Sequence, residues 1–401
     1  MSRYQYFSDL PCHAPLKIAP PLPNATLLTL LLFIRHGMRS PALILHHPGN
    51  EGYWNCTGMK NNTKFPHVAV NGKPYQYYEY DPTKKYVFPP SCQRSALVDE
   101  GITKIKEIGK LYYNYSLMYN LISPETDPHK ALSMFSVRSS NAQRCIESGI
   151  SFLNGFFNNY DGTFNETLEM DVGEEGKEPL APSPFRNKLI FEQILKFIDQ
   201  DDYRKRYVES EEIVQKFSKY LKIIYPVHEF ESLTMGDFFN SVRCANQEEE
   251  MYRTPEHEDP SEEVLITPEM HRILMNNVFY LEGKFYNYSL PLPAGPILKL
   301  VVEKLDKIGS EKPEKIFNLF SSHSETLSAL IATFGIDCEL PPPFNSHLLL
   351  EVWKPDDSSP IIIRFVLNGD QLKIVPLEDF MKNAMGIIKE YEKQVNKNDD
   401  L

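Results

Sequence analysis

Long apolar runs are missing from this sequence. The strongest, Leu27 to Ile34, is eight residues long and includes a threonine, far short of the roughly 20 residues a membrane-spanning helix needs. No membrane span is therefore expected. Cationic side chains are also in deficit: Lys and Arg number 42 against 54 Asp and Glu, a formal net charge of −12. That balance argues against nucleic acid or anionic lipid as partners, since both are polyanions held by clustered Lys and Arg. A site for an anionic substrate must then be locally basic. Cysteines and histidines lack the close spacing of a zinc site, so no metal is expected. There is no Gly-X-Ser-X-Gly elbow, Gly-rich phosphate loop or dinucleotide fingerprint. Serine hydrolase, nucleotide triphosphatase and Rossmann dehydrogenase readings lose support, and no cofactor is expected. Internal repeats and low-complexity tracts are absent as well.

What is present is an ordinary globular composition, 42% hydrophobic and 24% charged over 401 residues, so the chain should fold apart from its ends. Its length exceeds the usual single domain and implies two domains, or one core carrying a large insertion. Cys12, Cys56, Cys92, Cys145, Cys244 and Cys338 form an even set that fits disulfides. Asn-X-Ser/Thr acceptors begin at Asn24, Asn55, Asn61, Asn114, Asn165 and Asn287. Together these features point to a glycoprotein of the secretory-pathway lumen, lysosomal or extracellular. A signal peptide is not visible, because Met1 to Pro23 carries scattered polar residues and prolines.

Leu27 to Ile34 reads as a strand buried on both faces. It runs into Arg35-His36-Gly37, with Ser40-Pro41 stopping regular structure soon after. A polar turn at the end of a buried strand is where open α/β sheets place their chemistry. Gly49 to Pro90 lacks sustained periodicity and reads as an irregular insertion, with Cys56 and Cys92 as its candidate staple. Ile102, Ile105, Ile108 and Leu111 predict an amphipathic helix within Leu97 to Tyr119. A second core strand, Leu132 to Val137, is expected to end in the basic turn Arg138-Ser139-Ser140. A well-capped helix over about Asn141 to Phe157 should follow it.

From about 160 to 290, helical patches such as Phe191 to Ile198 and Glu211 to Leu221 alternate with acidic loops. The runs Glu248 to Glu250 and Glu256 to Glu263 read as solvated loop. A helix from Ile297 to Ile308 then precedes a strand, Ile316 to Phe320, which delivers Ser321-Ser322-His323-Ser324-Glu325 to one edge. Leu327, Leu330, Ile331 and Phe334 put that segment at a helix N-terminus, which attracts anions. Strands His347 to Trp353, Ile361 to Leu367 and Leu372 to Val375 complete the sheet, the last two joined by an Asn368-Gly369 hairpin turn. The expected fold is α/β: a mainly parallel central sheet flanked by helices. Its core would comprise 25–158 and 291–385, interrupted by a mostly helical cap at 159–290, with tails at 1–24 and 386–401.

Arg35-His36-Gly37-Met38-Arg39-Ser40-Pro41 is the most informative stretch. A histidine flanked by two arginines on a turn can present one imidazole nitrogen to a bound oxyanion. The guanidinium groups neutralise the equatorial oxygens and hold phosphorus in line, which is where most of the catalysis of phosphoryl transfer lies. Gly37 leaves room for close backbone approach.

This stretch resembles the first motif of the histidine acid phosphatases, Arg-His-Gly-X-Arg-X-Pro, at Arg35, His36, Gly37, Arg39 and Pro41. Val137-Arg138-Ser139-Ser140 with Arg144 is similar to that family's Arg-Ser-Thr-X-X-X-Arg segment. The resemblance implies that Arg138 contacts phosphate, and Arg144 is expected to form a structural ion pair. The third motif departs from the usual His-Asp. His323-Ser324-Glu325-Thr326-Leu327 is similar instead to the His-Ala-Glu-Thr-Leu of multiple inositol polyphosphate phosphatases. Ser324 is a poor proton donor, so Glu325 is the expected general acid. Pro341 to Phe344, Glu351-Val352-Trp353, Asn368-Gly369 and Pro376 to Phe380 follow in family order. Cys92 to Gly101 is closest in wording to the phosphoxylose phosphatase branch.

What the resemblance implies is an acid phosphatase that hydrolyses phosphomonoesters, on a phosphorylated sugar or inositol. Arg35, Arg39, Arg138 and His323 would bind phosphate, His36 would attack it, and Glu325 would protonate the leaving oxygen. The alternative is a catalytically weakened homologue that binds a phosphorylated glycan. A homodimer is left open.

Overall fold

The structure is a computed structural model that describes residues 11–42, 54–59, 67–77, 81, 83–159, 167–174, 176–183, 187–221, 228–245, 268–306, 308, 315–336 and 340–399. The acidic runs at Glu248 to Glu250 and Glu256 to Glu263, with Asn61, Asn165 and Cys338, lie outside the described residues.

In chain order the strands are β1 (Ala25–Arg35), β2 (His67–Val70), β3 (Lys73–Pro74), β4 (Phe135–Ser139), β5 (Thr167–Val172), β6 (Phe317–Ser322), β7 (His347–Pro355), β8 (Ile362–Leu367) and β9 (Asp370–Pro376). The helices are α1 (Asp99–Met118), α2 (Pro128–Ser133), α3 (Gln143–Phe156), α4 (Lys188–Ile198), α5 (Asp201–Leu221), α6 (His228–Cys244), α7 (Pro268–Tyr288), α8 (Pro291–Leu305), α9 (Ser324–Ala332) and α10 (Leu377–Asp399). Among the described residues the strands form one sheet in the order β3-β2-β5-β4-β6-β1-β7-β8-β9.

The sheet is mixed rather than mainly parallel. Four pairings, β2 with β5, β5 with β4, β4 with β6 and β6 with β1, are parallel, and the other four are antiparallel. Turn chemistry accounts for two of the antiparallel pairings, β2 with β3 and β8 with β9. Asn71-Gly72 and Asn368-Gly369 all have positive φ, the requirement of two-residue hairpins, and such hairpins can join only antiparallel strands.

β1 behaves as its composition predicts. Leu31 and Phe33 enter one core, Leu30, Leu32 and Ile34 the other. The second core is closed by α1 and α3, which contribute Ile105, Ile108, Ile150 and Leu153. The first is closed by helices from α4 to α10, including Phe238, Phe239, Leu274, Leu298 and Ala384. Two boundaries depart from expectation. The segment 159–290 supplies β5 to the sheet as well as its helices, and the stretch from 386, expected as a tail, is the continuation of α10, anchored by buried Ile388. At the other end, Cys12 bonds to Cys244 on α6. The insertion staple Cys56–Cys92 also forms, whereas Cys145 is a buried thiol outside both disulfides, its Sγ donating to Ser322 O at 3.3 Å.

A charged cluster lies inside the sheet. Glu351 accepts from Tyr115 Oη at 2.6 Å, Trp353 Nε1 at 2.9 Å and Arg364 Nε at 2.5 Å. Both ions are almost fully buried, so removing one strands the other in a low-dielectric interior. Glu351→Ala is expected to reduce unfolding free energy by about 3–5 kcal/mol, measured by denaturant titration. The double variant Glu351→Ala/Arg364→Met should recover at least half, because it removes the stranded charge as well.

Candidate active site

Three adjacent parallel strands, β4, β6 and β1, end side by side, and their ends are stitched together. His36 N–H donates to Ser322 O at 2.9 Å, Ser140 N–H to Ser321 O at 3.0 Å, and Ser322 Oγ to Ile34 O at 3.1 Å. Beyond β1 the chain passes tightly over α1. A Cβ on Gly37 would meet Gly101 O at 2.7 Å, and one on Gly101 would meet Met38 O at 2.3 Å. The backbone that needs the room Gly37 leaves is therefore that of α1.

His36 is buried, and its Nδ1 lies 2.8 Å from Gly37 O. A carbonyl only accepts, so Nδ1 carries the proton and Nε2 keeps its lone pair. Burial first, then the charges of Arg144 and Arg39, hold the His36 pKa well below the ordinary imidazole value. The ring is neutral and nucleophilic where a free histidine would be half protonated. The His323 ring packs edge-on at 5.5 Å between centroids. It is held by Ser140 Oγ at 2.9 Å from Nε2 and by Arg144 Nη2 at 3.5 Å from Nδ1.

A cavity of about 220 Å³ opens over these groups. His36, Arg35, Arg39, His323 and Glu325 all line it, so five of the six residues singled out in the sequence meet in one place. Arg138 is not among the lining residues. It projects from β4 to Glu178 Oε2 at 3.2 Å, and that carboxylate also accepts from Gly173 and Leu180 N–H groups. Arg144, expected as the structural ion pair, lines the cavity from the first turn of α3. The two arginines of the second motif have exchanged their expected positions.

The arginines are secured differently. Arg35 donates to Pro342 O and stacks its guanidinium 4.3 Å from the Phe344 ring centre. Arg39 is clamped by both carboxylate oxygens of Asp237 on α6. Burial works to lower the Arg39 pKa, but Asp237 outweighs it and the net shift is upward. Arg35 and Arg144 are pulled down to about 10 by burial, still far above neutral pH. Among the described residues, Nε of Arg35, Arg39 and Arg144 has no acceptor, so these cavity-lining guanidinium groups keep donor capacity that suits an oxyanion. Glu325 stands in the first turn of α9, next to Ser324, whose Oγ donates to Glu325 Oε2 at 3.1 Å. Asp237, Asn240 and Arg243 on α6 and Glu282 on α7 also line the cavity. Sequence reasoning assigned them nothing, because they sit at helical spacing in segments with no motif.

A mixed α/β sheet that ends in an unprotonated imidazole, ringed by guanidinium groups and a carboxyl, defines a phosphate-cleaving hydrolase. The family model for the histidine phosphatase superfamily (branch 2) matches residues 26–368, and the chain belongs to that family. It is similar to 2-phosphoxylose phosphatase 1 of Homo sapiens, 22% identical over 86% of this chain and 70% of that protein. Of the Mus musculus counterpart it covers only 56%. Lysophosphatidic acid phosphatase type 6 of Mus musculus is 22% identical over 88% of this chain and 83% of that protein. Among solved structures, the Hafnia alvei phytase in complex with myo-inositol hexakis sulphate shares the fold with TM-score 0.56 at 13% identity, covering 92% of this chain and 98% of that one. With these relatives, the chain is a phosphoric monoester hydrolase.

The exchanged arginines generate a test. Arg144→Ala is expected to weaken inhibition by inorganic phosphate by about tenfold or more, the worth of a charged hydrogen bond. Arg138→Ala should instead lower the thermal midpoint, by leaving buried Glu178 without its cation, and change the phosphate inhibition constant by less than about threefold.

Proposed function

We propose that this chain is an acid phosphatase working through a phosphohistidine at His36, on a phosphorylated sugar or inositol. The observation that carries the reading is the hydrogen bond from His36 Nδ1 to Gly37 O, made inside a cavity that arginines line. It frees Nε2 for phosphorus and keeps the ring oriented without help from substrate.

In the first step the Nε2 lone pair forms the P–N bond as the ester P–O bond breaks, and the Glu325 carboxyl gives its proton to the departing oxygen. In the second, the Glu325 carboxylate takes a proton from water, the hydroxide attacks phosphorus, and the P–N bond breaks to release inorganic phosphate. Arg35, Arg39 and Arg144 hold the equatorial oxygens throughout, with His323 beside them. Arg138, expected at first to share this role, is replaced in it by Arg144.

The core at 25–158 and 291–385 then carries the reacting groups, and the helices of the 159–290 cap form the wall opposite. Two disulfides support an oxidising compartment, and exposed Asn24 and Asn114 support glycosylation there. Lysosomal or extracellular delivery follows as the proposed location.

Rapid quench of a reaction with labelled phosphomonoester should trap label that is stable in alkali and labile in acid, and His36→Ala should trap none. Absence of turnover and of label in the wild type would favour a protein that only binds a phosphorylated glycan. Glu325→Gln should cost an alkyl phosphate about 10²–10⁴-fold in kcat, and an activated aryl phosphate much less, because only the poor leaving group needs the proton. The depressed His36 pKa fixes the sign of the pH dependence. Protonation, which disables the nucleophile, requires a lower pH than a free imidazole does. The acid limb of kcat/KM on an aryl phosphate should therefore lie below about 6.5.

A further inference from the structure

Among the described residues, Glu282 is the cavity carboxyl that no hydrogen bond or ion pair engages. Asp237 is taken up by Arg39 and by the Ala42 N–H at 3.1 Å, and Glu325 accepts from Ser324. Glu282 lies on α7 one turn beyond Val278 and Phe279 and lines the same cavity as they do and as Arg35, His36, Arg39 and His323. The groups it senses electrostatically are Glu325, Arg35, Asp237 and Arg39, all of the same cavity. An ester whose phosphoryl group is bound by the arginines therefore shares its chamber with Glu282.

We propose that Glu282 is the specificity-determining residue of this site, hydrogen-bonding the hydroxyls of a neutral polyol or sugar. The substrate class is then a hydroxylated phosphomonoester. This rests on the phosphatase reading above and adds the identity of the alcohol. Three features support it. The α7 wall offers Val278, Phe279 and Glu282, with no cation among them. Burial and then Glu325 push Glu282 up to about 8. In acid medium it is a neutral carboxyl that can both donate and accept, the complement of a hydroxyl and a poor host for a phosphate dianion. Finally, a site built to hydrogen-bond a hydroxyl rejects the analogue lacking it, because its own polar group is left unpaired.

The test uses the full chain and four substrates: β-glycerophosphate, its deoxy analogue isopropyl phosphate, inositol hexakisphosphate and p-nitrophenyl phosphate. The readout is a ratio of kcat/KM values, so a uniform loss of activity cancels. In the wild type, β-glycerophosphate should exceed isopropyl phosphate by about tenfold or more. Glu282→Leu should reduce that ratio to within about threefold of unity, while Glu282→Gln, which still donates and accepts, should retain most of it. Glu282→Lys should raise the ratio of inositol hexakisphosphate to β-glycerophosphate by about tenfold or more. Thermal midpoints confirm that each variant is folded, and Glu282→Ala, which removes the carboxyl without adding bulk, replaces Glu282→Leu if that variant is not. A ratio of β-glycerophosphate to isopropyl phosphate that stays within about twofold of wild type in the folded Leu or Ala variant overturns the role of Glu282. If the wild type turns over none of the four, p-nitrophenyl phosphate included, the phosphatase reading itself fails and the proposal falls with it.

Discussion

A neutral imidazole has to sit among guanidinium groups for this site to work, and burial supplies both halves of that condition. Out of water, the cost of charging His36 rises, and each neighbouring arginine adds to it. The same burial is the main reason that Arg35 and Arg144 titrate lower than free guanidinium, and the charge of Arg39 adds to it. Guanidinium tolerates this because its intrinsic pKa is so high; a lysine in the same place would lose its charge near neutrality. Asp237 absorbs part of the repulsion by clamping Arg39. One counter-ion on α6 therefore balances part of a cluster carried by the turn after β1 and the first turn of α3.

The fold concentrates these groups by simple means. Parallel neighbours β4, β6 and β1 point their C-terminal ends the same way, so three turns with no motif in common arrive at one edge. Antiparallel β7, β8 and β9 extend the sheet on the far side of β1 and cover its edge. The Glu351 and Arg364 pair is buried there, on β7 and β8. The glycine contact between the β1 exit and α1 sets the path of the nucleophile loop by backbone packing alone.

His36 was legible because an apolar run too short for a membrane ends abruptly in charge, and His323 with Glu325 was legible for the same reason at β6. Arg138 was misjudged by the alternation of the strand. β4 continues to Ser139 instead of stopping at Val137, so Arg138 is a strand residue facing Glu178, and Arg144 reaches the cavity only because α3 starts at Gln143. The helix start was expected to carry a good cap, yet the residue there is Ala142, with no side-chain cap. Such a start has no sequence signature. Asp237 and Glu282 were invisible for a different reason. Their importance comes from helices crossing the cavity mouth, a tertiary arrangement that helical periodicity describes only as one more polar position. The hairpin at Asn368-Gly369 shows the converse: its turn chemistry was readable and already implied an antiparallel edge that the overall description of the sheet overlooked, whereas Asn71-Gly72 lay in a stretch read as an irregular insertion.

The bond between Cys12 and Cys244 closes a loop of 232 residues, and constraining so long a loop in the unfolded chain is worth about 5 kcal/mol on the entropic account. Its location matters more than its size. Cys12 borders the cavity, and Cys244 ends the helix whose Asp237 holds Arg39. The covalent girth of the molecule thus runs through the rim of its own reaction chamber. A thiol-rich cytosol would slacken that rim first, so the ambient redox potential becomes a determinant of the chamber's shape.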